Sequence, residues 1–351
     1  MALESTLMMI GRMIAFAYNL AMDTTPTSLR ERFSRLGLDT LYTEEHCRDL
    51  EAEIARILAL KRERDAIVLA HNYQRPEIFE VADFVGDSLE LSREAERVDA
   101  PVIVFCGVHF MAETAKILNP ASRVLLPNIE AGCTLADAAD AEAVAERAAA
   151  LRREYPDLAV VSYVNTTAAV KAVSDVCVTS GNALRIVESL PNSTILFLPD
   201  RNLAAYVASQ TTKRIIPWDG DCSVHEEIQP TDILETKKLF PKAEVLVHPE
   251  CRTDVLNLAD AVLSTAGMIA HARKSSADEF IIVTECGLSD RLLLEIPEKH
   301  FYKSCRLCKF MKMITLDDVR GSLERLAPEI LLDEAVIERA RHAIVRMLEL
   351  S

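Results

Sequence analysis

The sequence lacks several things, and each absence excludes something. A single C-x-x-C occurs, in "KSCRLCKFMK", where Cys305 and Cys308 stand without the second pair that a four-cysteine zinc ribbon or a ferredoxin-like run would bring. Excess positive charge is also missing: the formal net charge is -15, which argues against a nucleic-acid partner, since phosphate backbones are bound by basic surfaces. No uninterrupted apolar run has the length of a membrane span; the nearest, "TLMMIGRMIAFAYNLAMD", is broken by Arg12 and Asn19. That opening also lacks the basic start and A-x-A-like site of a signal peptide, so it is expected to be a loosely attached helix or an over-long start upstream of Met22. A cytoplasmic location follows as an expectation. In that reducing compartment nine cysteines point to metal binding or catalysis rather than disulfides. At 351 residues the chain exceeds what one hydrophobic core serves, which implies two or three domains.

What is present is a repeat. "AHNYQRPEIFEVADFVGDS" (70–88), "SYVNTTAAVKAVSDVCVTS" (162–180) and "VHPECRTDVLNLADAVLST" (247–265) align without a gap at offsets of 92 and 85 residues. Asp83, Asp175 and Asp260 share one column, and Ser88, Ser180 and Thr265 end the three segments. Each copy opens on a short apolar run ("AIVLA", "LAVVSY", "AEVLV"), continues through an amphipathic helix such as "RTDVLNLADAVL", and returns to a further apolar run ("PVIVFCG", "STILFLP", "EFIIVTE"). Strand, helix and strand in this rhythm predict βαβ units on a parallel sheet. The expected fold class is therefore α/β: three homologous three-layer α/β/α domains with parallel sheets about a pseudo-three-fold axis. The boundaries are an N-terminal helical extension at 1–60, then repeats at 61–150, 151–240 and 241–351, the last carrying C-terminal helices.

The repeat also sorts the cysteines. Cys133, Cys222 and Cys308 are 89 and 86 residues apart, and each follows the third strand-like run of its copy. One thiol from each unit could meet the others at the axis. Three such thiols could be unligated core cysteines, a zinc site completed by His225, or ligands of a 4Fe–4S cluster with one open iron. Three domain-sized units would be an extravagant frame for one small ion, which favours the cluster. Its open iron would act as a Lewis acid on a substrate oxygen. The hydroxyl column stands where turns give way to helices, and Asp87-Ser88-Leu89-Glu90 reads as a capping box. A lone cap of this kind is only a cap, but three in equivalent places would surround a small anion. His71 and Tyr73, Tyr163 and Asn165, and His248 and Glu250 follow the first strands, at the strand ends where α/β folds place ligands.

In these stretches the chain resembles the quinolinate synthases, iron–sulfur enzymes of NAD biosynthesis. The resemblance is carried in order by "AHNYQ", "ADFVGDS", "EAGC", "YVNT", "VTSGNA", "DGDCSVHE", "LVHPEC" and "ADAVLSTAGMI". It implies condensation of iminoaspartate with dihydroxyacetone phosphate to quinolinate, with release of phosphate and water. It implies one 4Fe–4S cluster per chain on Cys133, Cys222 and Cys308, and usually a homodimer. The implied partners are small anionic substrates and the enzyme supplying iminoaspartate, with no nucleic acid and no membrane. Substrate contacts would be His71, Ser88, Tyr163, Val164, Asn165, Ser180, His248, Pro249, Glu250 and Thr265, with Tyr73, His71, His248 and Glu250 moving protons. One departure is Tyr302, which stands where some members carry a further cysteine. A dithiol formed by two upstream cysteines is therefore unavailable. Cys305 is then expected to pack, or to capture Cys308 after oxidation, and nothing requires Cys251 to be a ligand. Two other readings are an aconitase-like hydro-lyase and a non-enzymatic metal-binding protein, either an iron–sulfur sensor or a zinc-bound structural protein.

Overall fold

The computed structural model describes residues 28–351, so the opening apolar stretch lies outside the described residues. Among the described residues, twelve strands form three parallel four-stranded sheets. The first holds β1 (Ala66–His71), β2 (Phe84–Gly86), β3 (Val102–Cys106) and β4 (Arg123–Leu125). The second holds β5 (Ala159–Tyr163), β6 (Val176–Val178), β7 (Thr194–Leu198) and β8 (Arg214–Pro217). The third holds β9 (Glu244–Val247), β10 (Ala261–Val262), β11 (Glu279–Val283) and β12 (His300–Lys303). The order is the same in each: β2-β1-β3-β4, β6-β5-β7-β8 and β10-β9-β11-β12. The central strands are continuous buried runs, such as "AVVSY" and "VIVFC", as sheets covered on both faces by helices require. Registers agree as well, with Val68, Val160 and Val245 opposite Val104, Leu196 and Ile281.

The aspartate column is structural, and it corrects one expectation. In each unit the backbone N–H of the aspartate donates to the first strand, Asp83 to Val68 O at 2.8 Å, Asp175 to Val160 O at 2.9 Å and Asp260 to Val245 O at 2.9 Å. Its carboxylate takes the N–H of that same strand residue at 2.7, 2.7 and 2.8 Å. This two-sided clamp pulls the chain out of helix and into a short second strand. The amphipathic helix expected over "RTDVLNLADAVL" is therefore one turn, Thr253–Leu256, followed by β10. The expected third strand-like run before each cysteine is accordingly the fourth strand of its sheet.

The chain after that fourth strand is equivalent in all three units. The first N–H of the helix after the third strand donates to it: His109 to Ala131 O (2.8 Å), Arg201 to Gly220 O (2.7 Å) and Cys286 to Arg306 O (3.1 Å). Cys133, Cys222 and Cys308 each lie two residues beyond the accepting carbonyl. The same alignment explains Cys305. It corresponds to Asp219, and Cys286 to Arg201; the second unit carries an Arg201–Asp219 ion pair at 3.7 Å where the third carries a Cys286–Cys305 disulfide. Cys305 thus neither packs as a free thiol nor faces Cys308 as a partner. This departs from the expectation that the cysteines avoid disulfides.

The N-terminal helices Leu29–Ser34 and Glu44–Glu63 bury Phe33 and Ile57 completely. The second of them delivers Lys61 to Val81 O at 2.6 Å and to Asp83 at 2.7 Å. The C-terminal helix Glu334–Leu350 lies across the seam between the first two units, against His109–Leu118 and Ala168–Lys171. Arg341 there donates to the carbonyls of Ile117 (3.0 Å) and Leu118 (2.6 Å), where a helix C-terminus leaves acceptors free. Among the described residues no helix is long and apolar enough to cross a membrane.

Candidate active site

The carboxyl ends of the first strands open on one shared cavity, where parallel α/β sheets place their ligands. All three units contribute to its lining: His71, Tyr73 and Ser88 from the first; Tyr163, Asn165 and Ser180 from the second; His248, Glu250 and Thr265 from the third. Cys133, Cys222 and Cys308 line the same space. Two expected residues do not line it. Val164 turns into a small apolar cavity shared with Ser88 and Phe110, because its N–H is committed to Val178 O at 2.8 Å, and Pro249 only shapes the turn between His248 and Glu250. Ser88 and Thr265 are the first residues of their helices, behind caps Asp87 and Ser264. Ser180 sits in the turn before Ala183–Ser189.

The first-strand ends use one local geometry twice. The N–H of Tyr73 donates to His71 Nδ1 at 3.2 Å, and that of Glu250 to His248 Nδ1 at 3.5 Å. An Nδ1 that accepts leaves the proton on Nε2, aimed onward; His248 Nε2 lies 3.2 Å from Ser180 Oγ. Burial, helped by Arg291 and Lys312, lowers His71 to about 3, and burial lowers His248 to about 3, so both rings are neutral hydrogen-bond donors. Thr265 Oγ1 accepts from Asn72 Nδ2 at 2.8 Å. Asn165 Oδ1 and Thr179 Oγ1 are buried with no hydrogen-bond partner, which is costly unless a ligand supplies one.

A chain of polar groups crosses the wall, and the sequence reading missed two of its members. Tyr73 OH meets Thr284 Oγ1 at 2.6 Å, and Thr284 Oγ1 meets His225 Nε2 at 2.8 Å. His225 Nδ1 stands 2.8 Å from Glu250 Oε2, and Tyr163 OH donates to Glu250 Oε1. Burial alone would raise Glu250, but His225 beside it and the hydrogen bonds from His225 and Tyr163 bring its carboxyl below the usual carboxylate range. Burial and the Glu250 charge push both tyrosines well above the ordinary phenol range. Thr284 has one legible signal, its place directly after a parallel strand; the sequence suggests His225 only as a zinc ligand. With one ring nitrogen on Thr284 and the other facing Glu250, His225 is not free to complete a Cys3His site, although Cys222, His225 and Glu250 bring one donor atom each within 4.8 Å.

The sulfur sites fit a soft metal group. Each cysteine begins a short turn whose backbone N–H groups face its sulfur: Ala136 and Leu135 for Cys133, His225 for Cys222, Met311 and Phe310 for Cys308. Burial pushes Cys133 up to about 12, Cys222 well above its usual value and Cys308 upward; the Cys308 thiol adds to the shift of Cys133, and that of Cys133 to the shift of Cys222. Three buried thiols, with no lysine or arginine among the described residues that line the cavity, favour a cation between them, which an iron–sulfur cluster would supply. The thiols converge from three separate loops: Thr134 and Ser223, one residue past two of them, are 3.4 Å apart.

Comparison with known proteins points to one family. The family profile described as "NadA: Quinolinate synthetase A protein" matches residues 55–349. A "Quinolinate synthase" of Desulforudis audaxviator is 52% identical over 300 residues, covering 85% of this chain and 98% of the relative. "Quinolinate synthase 1" of Methanosarcina acetivorans is 50% identical over 297 residues, covering 84% and 96%. A "Quinolinate synthase" of Thermodesulfovibrio yellowstonii is 52% identical over 303 residues, covering 85% and 98%.

Proposed function

The chain belongs to the quinolinate synthetase A family, and from that premise we propose that it condenses iminoaspartate with dihydroxyacetone phosphate to form quinolinate, releasing phosphate and water. The observation that carries this reading is one cavity uniting three thiols, three hydroxyls and two neutral histidines from three units. In this reading Cys133, Cys222 and Cys308 hold a 4Fe–4S cluster, which when bound supplies Lewis acidity to a substrate oxygen at its unligated iron.

The chain's own residues supply binding and proton traffic. Ser88, Ser180 and Thr265, with the open Asn165 Oδ1 and Thr179 Oγ1, bind the polar groups of the two substrates. His71 and His248, neutral and donating through Nε2, bind carboxylate or phosphate oxygens without carrying a fixed charge into the cavity. Tyr73 is the proton donor and acceptor for the triose, because Thr284 and His225 connect its hydroxyl to Glu250. Glu250, ionised, stabilises positive charge on His225 when that ring takes up a proton. Tyr163 orients Glu250 by its hydrogen bond.

The test is anaerobic purification with iron, sulfide and zinc analysis, followed by assay. Quinolinate should form only when both substrates are supplied. An intact cluster with no quinolinate by chromatography would overturn the reading, as would zinc without iron or sulfide. Turnover of hydroxy acids in place of quinolinate formation would favour a hydro-lyase.

A further inference from the structure

Tyr73 is held from two sides by the third unit, by the residue directly after β11 and by a residue of the Cys308 loop. Its hydroxyl meets Thr284 at 2.6 Å, and its backbone carbonyl accepts from Lys312 Nζ. Lys312 also reaches Gln74 O at 3.4 Å and Glu285 at 3.3 Å, while its own carbonyl accepts from Arg75 Nε at 2.8 Å. Glu285, fully buried, accepts the N–H of Gly287 at 2.7 Å and that of Cys308 at 3.1 Å. Gly287 makes the arrangement possible: a Cβ there would stand 2.5 Å from Lys312 Nζ and 2.8 Å from both Glu285 Oε2 and Tyr73 O.

The other units show which part of this device serves what. The second unit has its carboxylate half, Asp200, which accepts the N–H of Cys222 at 3.2 Å. Among the described residues no ammonium or guanidinium is paired with Asp200. The first unit has Val108 in that place. A carboxylate alone therefore holds a ligand loop, and the ammonium stands only where the Tyr73 loop crosses the Cys308 loop. We propose that Lys312 is a positioning residue for Tyr73, tying its backbone carbonyl to Glu285 and so fixing its hydroxyl relative to Thr284 and Cys308. This rests on the quinolinate synthase reading and names a residue through which that site works.

The test is a double-mutant cycle on anaerobically prepared, full-length protein: wild type, Lys312→Met, Tyr73→Phe and the pair, with iron content, kcat and KM measured for each. Lys312→Met should keep wild-type iron and lose about 10–100-fold in kcat, as a small displacement of a reacting group does. KM should change by less than about three-fold, since uniform binding is untouched. In the Tyr73→Phe background the same change should cost less than about three-fold, because residues acting as one unit are not additive. Gly287→Ala, whose methyl crowds Lys312 Nζ, Glu285 Oε2 and the Tyr73 carbonyl together, should likewise lower kcat. Additive losses, unchanged kcat in Lys312→Met, or iron lost as in Cys308→Ser would each overturn the inference. Iron-replete wild type that makes no quinolinate would instead overturn the function it rests on.

Discussion

At the residue scale, the question posed by Cys305 and Cys308 has a geometric answer. Cys308 lines the cavity with Cys133 and Cys222, whereas Cys305 is joined to Cys286 outside it. Cys308→Ser should abolish stable iron binding and activity, while Cys305→Ser should leave iron content and anaerobic turnover near wild type. Iron lost with Cys305→Ser and kept with Cys308→Ser would reverse the assignment. The two neutral histidines carry a pH signature. Unfolded rings bind protons below about pH 6.5, whereas His71 and His248 do so only near 3. Their contribution is therefore complete above that unfolded value and is lost as pH falls towards 3. Between pH 7 and 5.5 each ring should cost about 1 kcal/mol of stability. Denaturant titrations of wild type and His71→Asn should show a shallower pH slope in the variant; equal slopes would mean that the ring is charged when folded.

At the scale of the element, the aspartate clamp separates stability from chemistry. Asp260 pairs with both backbone groups of Val245 and does not line the cavity. Asp260→Ala leaves a strand N–H without its acceptor and should cost about 1–3 kcal/mol in chemical denaturation. The kcat of the folded fraction should stay within about two-fold, as for a site that adds independently. A larger drop in kcat at unchanged stability would mean that the column does more than pin β10 to β9.

At the scale of the whole molecule, the cavity exists only while three units stay docked. The helix Glu334–Leu350 staples the first two, with Ala343 and Ile344 completely buried in the seam. Ala343→Asp would place an unpaired carboxylate there and should cost about 3–5 kcal/mol. Because Ser88 and Ser180 stand on opposite sides of that seam, activity and thermal midpoint should fall together. A variant that lost stability and kept full activity per folded molecule would show that the seam does not govern the cavity.

Legible in the linear chain are the three-unit fold, the cysteines that line one cavity and most of the polar residues around it, whereas its apolar lining (Val108, Phe110, Met111, Val224 and Met311) is not. The legible features recur at fixed offsets, and recurrence is information a linear chain carries. Asp83, Asp175 and Asp260 were visible as a column for that reason, although their strand-pinning task was not. Tertiary structure alone decided which groups meet across units. His225 pairs with Thr284 over 59 residues and Lys312 with Tyr73 over 239. Neither pair repeats elsewhere in the chain, so no spacing announces it. The second strand of each unit also escaped the sequence reading, because its pattern of apolar residues suits a helix equally well. Only the two backbone hydrogen bonds offered by the neighbouring strand decide between those forms, and they come from residues the local pattern does not contain.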